Sequence, residues 1–211
     1  MDEAGAARFP FPAAILAGGK SRRMGRDKSL LPLFGEPVVC RVARVLERVF
    51  SRVFVVANHA APYEALGFRV VPDLLPGNDS LGGLHAAISQ GGASHVFVAG
   101  CDMPFLHPSL LRGIAGRAGD GDVVIPIKDG YPEPLCALYG AACEPVIRRR
   151  IEQGRLKMIG FHDEVRVVRI EEAQWRAWDP EGLSFRNLNT PQEYESALAA
   201  ESGEWEARSG C

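Results

Sequence analysis

A chain of 211 residues and 22.9 kDa accommodates one ordinary domain, and on folding such a chain removes roughly 70% of its unfolded surface from water. Apolar residues at 46% and charged residues at 24% exclude wholesale disorder, while 24 basic against 26 acidic side chains leave no cationic excess to neutralise a nucleic-acid backbone. The five cysteines (Cys40, Cys101, Cys136, Cys143, Cys211) are odd in number and never spaced CxxC, which argues against a disulfide framework and against structural zinc.

The opening MDEAGAARFPFP begins acidic and reaches Pro10 and Pro12 before any apolar run, unlike a secretory leader, and no segment approaches the ~20 apolar residues of a membrane span. The expectation is a cytoplasmic chain that engages neither membrane nor nucleic acid. Ala13 to Ala17 (AAILA) reads as a buried strand ending in Gly18-Gly19. Pro37 can open a helix in which Val38, Val42, Val45, Leu46 and Val49 recur at helical spacing. RVFVVA (52–57), FRVVP (68–72) and HVFVAG (95–100) are further strands, followed by DVVIPI near Asp122 and PLCALY near Leu135. VRVVRI (165–170) alternates less cleanly, as an edge strand does. The stretches 61–67, 82–91, 108–118, 142–153 and 190–200 are long enough for helices. Continuous Val/Ile/Phe runs separated by helical lengths predict a single α/β, Rossmann-like domain over 11–200, with a mainly parallel sheet covered by helices on both faces. Residues 1–10 and 201–211 are expected to be flexible termini.

Ligands of such sheets bind beyond the carboxyl ends of the strands, which directs attention to 18–28, 73–83 and 101–107. GGKSRRMGRDK (Gly18 to Lys28) packs three glycines and five cations into eleven residues. It is not a Walker A loop, because Ala14 stands where the first glycine belongs, and Gly18-Gly19 does not open a GxGxxG fingerprint. Paired glycines at a strand end let backbone N–H groups approach an anion, and the cations balance several phosphates. The residues thus describe a polyphosphate site of another type.

LAGGKSRRMGRDKSLLPLFGEPVV (Leu16 to Val39) resembles the signature of nucleotidyltransferases of the molybdenum cofactor guanylyltransferase (MobA) type, with LGGLHAA (81–87), CDMPFL (101–106) and NLNTP (187–191) following in the same order. The resemblance covers about 13–198. It implies an enzyme that transfers GMP from GTP to the phosphate of molybdopterin, with Mg²⁺ as cofactor and pyrophosphate as leaving group. Cytidyl transfer, sugar-phosphate nucleotidyl transfer and a non-catalytic nucleotide-binding module are the alternatives. Transient contact with molybdoenzymes or other cofactor-assembly proteins is a further expectation.

By resemblance, Leu16, Ala17, Gly18 and Gly19 contact the nucleotide, and Arg23 and Lys28 neutralise its phosphates. Asp73 also contacts the nucleotide, while Gly82 and Gly83 line the base. Asp102 ligates the metal, Asn187 and Asn189 stand at the reaction centre, and Arg155 and Lys157 approach the pterin substrate. The sequence departs from the family pattern before Leu81, where Asp79-Ser80 replaces a Gly-Pro pair, and at Val56, which leaves Asn58 as the nearby amide. From the residues alone, Asp27 is either functional or a loop-holding carboxylate, and Asp102 either a metal ligand or a turn cap. Thr190 and Glu193 have capping-box spacing.

Overall fold

The computed structural model describes residues 7–17, 27–75 and 77–199. Within them the strands are β1 (Ala13–Leu16), β2 (Pro32–Leu33), β3 (Glu36–Pro37), β4 (Val53–Val56), β5 (Val70–Val71), β6 (His95–Gly100), β7 (Val123–Lys128), β8 (Tyr131–Pro132), β9 (Cys136–Gly140) and β10 (Val167–Ile170). The helices are α1 (Val38–Glu47), α2 (Ala61–Glu64), α3 (Asp79–Gly91), α4 (Pro108–Ala115), α5 (Cys143–Glu152), α6 (Glu172–Trp175) and α7 (Pro191–Ala199).

The main sheet runs β10-β7-β9-β6-β1-β4-β5, with β8 appended to β7. The pairs β1–β4, β1–β6, β4–β5 and β7–β10 are parallel, so the expected mainly parallel α/β fold is present. β9 runs antiparallel between β6 and β7, and the appended β8 is likewise antiparallel to β7. β10 lies at the sheet edge, as its weaker alternation suggested. Side chains alternate across the sheet: Ala13, Ile15, Phe97 and Ala99 join one core with α1 and α4, while Ala14, Leu16, Val96 and Val98 join a second core with α3 and α5. A helix layer on each face explains the unbroken apolar runs of the central strands.

Residues 7–10 are better held than their composition suggested. The Phe9 N–H donates to the Val49 carbonyl at 2.8 Å, and its ring packs on Phe11 and Phe50. Two FxF-spaced rings supply the anchoring that the small residues before them cannot. Residues 1–6 and 200–211, which contain most of the expected flexible termini, lie outside the described residues. The four described cysteines are free thiols.

The inserted β9 has a local cause. Only 129–135 separate β7 from β9, too few for the dozen or more residues of a parallel crossover, so the chain reverses as a hairpin. Asp129 (φ 51°) and Gly130 (φ 80°) take the left-handed conformation the reversal needs. The reversal also inverts α5, which runs antiparallel beside α3, with His85 of α3 meeting Glu144 in the first turn of α5 at 2.9 Å.

Candidate active site

The carboxyl ends of β1 and β6 lie side by side, because Leu16 pairs with Gly100. The Cys101 N–H continues the register by donating to the Leu16 carbonyl at 3.3 Å. Asp102 follows at once and is 8% exposed. Its carboxylate packs so closely over the strand end that a Cβ on Gly100 would stand 2.7 Å from Oδ1. Glycine at 100 is therefore what lets an acidic side chain fold back over its own strand.

The buried carboxylate is paired. Lys28 Nζ donates to Asp102 Oδ2 at 2.5 Å and to Asn189 Oδ1 at 2.7 Å. Positions 28, 102 and 189 thus meet at one point, and burial is offset by a charge-assisted hydrogen bond. The Asp102 side chain thus faces Lys28. Cys101 beside it is buried, and burial pushes its thiol up to about 12, which suits packing and not nucleophilic chemistry.

The segment 187–189 is strapped onto this point. The Leu188 N–H donates to the Asp102 carbonyl at 2.9 Å, and Leu188 is 2% exposed. Glu193 accepts from the N–H groups of Asn189 (2.7 Å) and Thr190 (2.8 Å), while Thr190 Oγ1 accepts from the Glu193 N–H at 3.2 Å. This is the capping box that the spacing predicted, and these bonds, led by the Asn189 N–H, hold the Glu193 carboxyl below its ordinary range. Asn187 Oδ1, two residues before Asn189 in the chain, is buried with no hydrogen-bond partner among the described residues and is not bonded to the Lys28–Asp102 pair.

Asp27 is a cap. Its Oδ1 accepts from the Ser29 N–H (3.1 Å) and Ser29 Oγ (2.6 Å), opening the 3₁₀ turn Lys28–Leu30. Its Oδ2 accepts from the Tyr63 hydroxyl at 2.8 Å. Tyr63 was not legible as part of the site, since a tyrosine in APYEAL at helical spacing reads as core. Only the three-dimensional contact reveals it.

Beside this cluster opens a cleft of about 420 Å³, lined by Leu16 and Ala17 at the end of β1, Asn58 and His59 after β4, Asp73 after β5, and Ser80 and Gly83 at the start of α3. Its size suits a nucleoside. Asp73 is fixed at the rim, where its N–H donates to Asn58 Oδ1 and its Oδ1 accepts from the Leu75 N–H, both at 3.0 Å. The two glycines expected to line a base divide their work. Gly83 faces the cleft, with the Leu16 methyls 3.6 Å from where its Cβ would stand, whereas the space over Gly82 is filled by the Asp73 carboxylate. Gly82 therefore serves a protein side chain and not the base directly.

Arg155 and Lys157 are exposed just beyond α5. The inversion of α5 turns that end toward the carboxyl side of the sheet, yet the two cations make no contact with Lys28, Asp102 or Asn189. Gly18, Gly19 and Arg23 lie outside the described residues.

Among the described residues no group of three or more His, Cys, Asp or Glu could hold a metal. The donor set does fit Mg²⁺, which takes one or two carboxylates and completes its shell with water and substrate phosphates. Asp102 is a buried carboxylate already facing a cation, with the Asn189 amide oxygen beside it. Such a site suits a metal arriving with a nucleotide and not a resident cage.

Residues 13–167 match the model of the MobA-like NTP transferase domain. The chain is 40% identical over 190 residues to the molybdenum cofactor guanylyltransferase of Desulfosudis oleivorans, covering 88% of this chain and 93% of the relative. It is 38% identical over 179 residues to the probable molybdenum cofactor guanylyltransferase of Pelotomaculum thermopropionicum, covering 85% and 87%. Among solved structures it resembles the molybdopterin-guanine dinucleotide biosynthesis protein A of Archaeoglobus fulgidus, with a TM-score of 0.79, 31% identity, and 90% and 98% of the two chains covered. With the fold and these matches together, the chain belongs to the MobA-like NTP transferase family of nucleotidyltransferases.

Proposed function

We propose that this chain transfers GMP from GTP to the phosphate of molybdopterin, forming the guanine dinucleotide cofactor and releasing pyrophosphate. One observation carries the reading: the Lys28 ammonium is held between Asp102 and Asn189 beside a nucleoside-sized cleft, at the carboxyl end of the central strands. The names of the relatives, guanylyltransferases at 38–40% identity, support guanine as the base.

The attacking phosphate monoester is ionised at neutral pH, with a second pKa of about 6, so the reaction requires no strong general base. The protein's task is positioning and charge neutralisation. Asp102 and Asn189 hold the Lys28 ammonium, a point charge that can move onto phosphoryl oxygens as pyrophosphate departs. Asp102 would ligate Mg²⁺, which when bound neutralises and polarises the phosphate oxygens. Leu16, Ala17 and Gly83 wall the nucleoside, with the Asp73 carboxylate at the rim available to N–H or hydroxyl donors. Gly18, Gly19 and Arg23 cradle the phosphates, Asn187 works beside Asn189, and Arg155 and Lys157 meet the anionic pterin. The product passes to molybdoenzymes or other cofactor-assembly proteins by transient contact. No helix among the described residues is long and apolar enough to cross a membrane, in keeping with a cytoplasmic role.

The test is pyrophosphate release with molybdopterin, Mg²⁺ and either GTP or CTP. Preferred use of GTP with formation of the dinucleotide is the expected result. Equal or preferred use of CTP overturns the guanylyl assignment. Binding of GTP without pyrophosphate release makes the chain a binding module.

A further inference from the structure

Tyr63 is 2% exposed and sits in α2, far from the glycine-rich loop in sequence, yet its hydroxyl closes a ring of three short contacts. It lies 2.8 Å from Asp27 Oδ2 and 2.8 Å from Ser29 Oγ, and Ser29 Oγ lies 2.6 Å from Asp27 Oδ1. Ser29 is itself fully buried. The ring therefore grips the residues on both sides of Lys28 and leaves Lys28 as the only member of that tripeptide whose side chain reaches outward to Asp102 and Asn189. Ser29 and Tyr63 are buried while Asp27 is exposed, and two hydroxyls bonded to one carboxylate in this way restrain the backbone between them. Burial also pushes the phenol of Tyr63 well up, so it stays a neutral donor throughout the working range. Because Tyr63 and Asp27 also line the nucleoside cleft, the ring joins the cleft wall to the lysine.

We propose that Tyr63 is a positioning residue: its hydroxyl, through Asp27 and Ser29, fixes the backbone of Lys28 so that the ammonium is delivered to the reacting phosphates. The kinetic half of this proposal rests on the nucleotidyl-transfer reading above. The positional half does not.

The test uses Tyr63→Phe in the full chain, with Ser29→Ala as a second way to open the ring should the first variant fold poorly. Lys28 is one of four lysines, with Lys20, Lys128 and Lys157, so peptide mapping after treatment with an amine-acylating reagent reads its reactivity singly. Opening the ring should raise the acylation rate of Lys28 several-fold while exposed Lys157 reacts as in the parent and the melting temperature moves by only a few degrees. In turnover, kcat should fall about tenfold or more with little change in the KM for GTP, and that loss should vanish in a Lys28→Ala background, since coupled residues are not additive. An unchanged Lys28 acylation rate overturns the proposal, and so does a kcat loss that persists undiminished in the Lys28→Ala protein. A parent that shows no transfer sinks the functional reading instead, while the acylation result still decides the role of Tyr63.

Discussion

Replacing Gly82 by Ala separates nucleotide recognition from stability. The new Cβ would stand 2.5 Å from Asp73 Oδ2 and 2.9 Å from Oδ1. Carbon and oxygen atoms not bonded to one another settle no closer than about 3.3 Å, so the carboxylate must retreat by roughly 0.8 Å. Helix α3 cannot give way, because Leu81 and Leu84 on either side are fully buried. Asp73 is thus pushed off its bond to the Leu75 N–H, a loss of about 1 kcal/mol. Exchanging Gly for Ala in a helix recovers up to about 1 kcal/mol, so the melting temperature should barely change. The ligand feels the change undiluted. A hydrogen bond to a charged group contributes about 1.5–3 kcal/mol, so losing the Asp73 contact should weaken GTP binding roughly tenfold to a hundredfold. Calorimetric titration of Mg²⁺·GTP into parent and Gly82→Ala protein, with a thermal melt of each, measures both quantities. A folded variant that binds GTP as the parent does refutes the reasoning and removes Asp73 from the nucleotide site.

Three further outcomes are expected. Asp102→Ala should fold and lose about a thousandfold or more in metal-dependent transfer, since metal polarisation contributes several kcal/mol to such transition states; near-parent turnover with ordinary Mg²⁺ dependence would leave Asp102 only its bond to Lys28. Lys28→Ala should depress kcat more than it raises the KM for GTP, because its charge matters most as the leaving group becomes anionic, and steady-state kinetics with varied GTP reads the split. His162 is lowered to about 4 chiefly by burial, with Arg169 adding to the shift. The folded chain then binds its proton later than the unfolded chain, so His162 costs stability progressively as pH falls from 6.5 toward 4. Melting temperatures across that window should fall less steeply in His162→Gln than in the parent; parallel slopes would mean that His162 does not contribute.

The fold was largely legible because burial writes itself as unbroken apolar runs. HVFVAG coincides with β6 residue for residue, and each expected helix from 61 onward is present, with the stretch 82–91 extended back to Asp79 and the others trimmed at their ends, where hydrogen bonding and not periodicity decides. The polarity of β9 is different. A run such as CALYG reports that a strand is buried on both faces and carries no information on its direction. The available clue was the short spacing from DVVIPI, which leaves no room for a crossover. The two-residue strands β2, β3 and β8 and the short α6 are set by turn geometry and tertiary pairing, and a pattern so brief has no period to read. In the site, Lys28, Asp102 and Asn189 were legible through the family signature that their motifs resemble, and the structure brings the three to one point. Asp73 was legible as a residue but not in its dependence on Gly82. Tyr63 stayed hidden because its role arises from a contact 36 positions away from Asp27.

The antiparallel β9 also determines the sign of the electric field at each side of the sheet's carboxyl end. Helix α3 begins at that end beside the cleft, so its aligned peptide dipoles present roughly half a positive charge there. Helix α5, inverted by β9, presents its carbonyl end instead, with the opposite partial charge. Arg149 and Arg150 in its last turn are paired with Glu164 and offset little of it. Arg155 and Lys157, exposed and without an ion pair among the described residues, are cations that would make that flank hospitable to an anion. On the cleft side the backbone itself favours an anion, whereas on the α5 side any attraction would have to come from side chains. The first is a property of the fold and the second can be lost or tuned by substitution, so the reversal of one strand divides the two flanks of the site into one that is electrostatically built in and one that is adjustable.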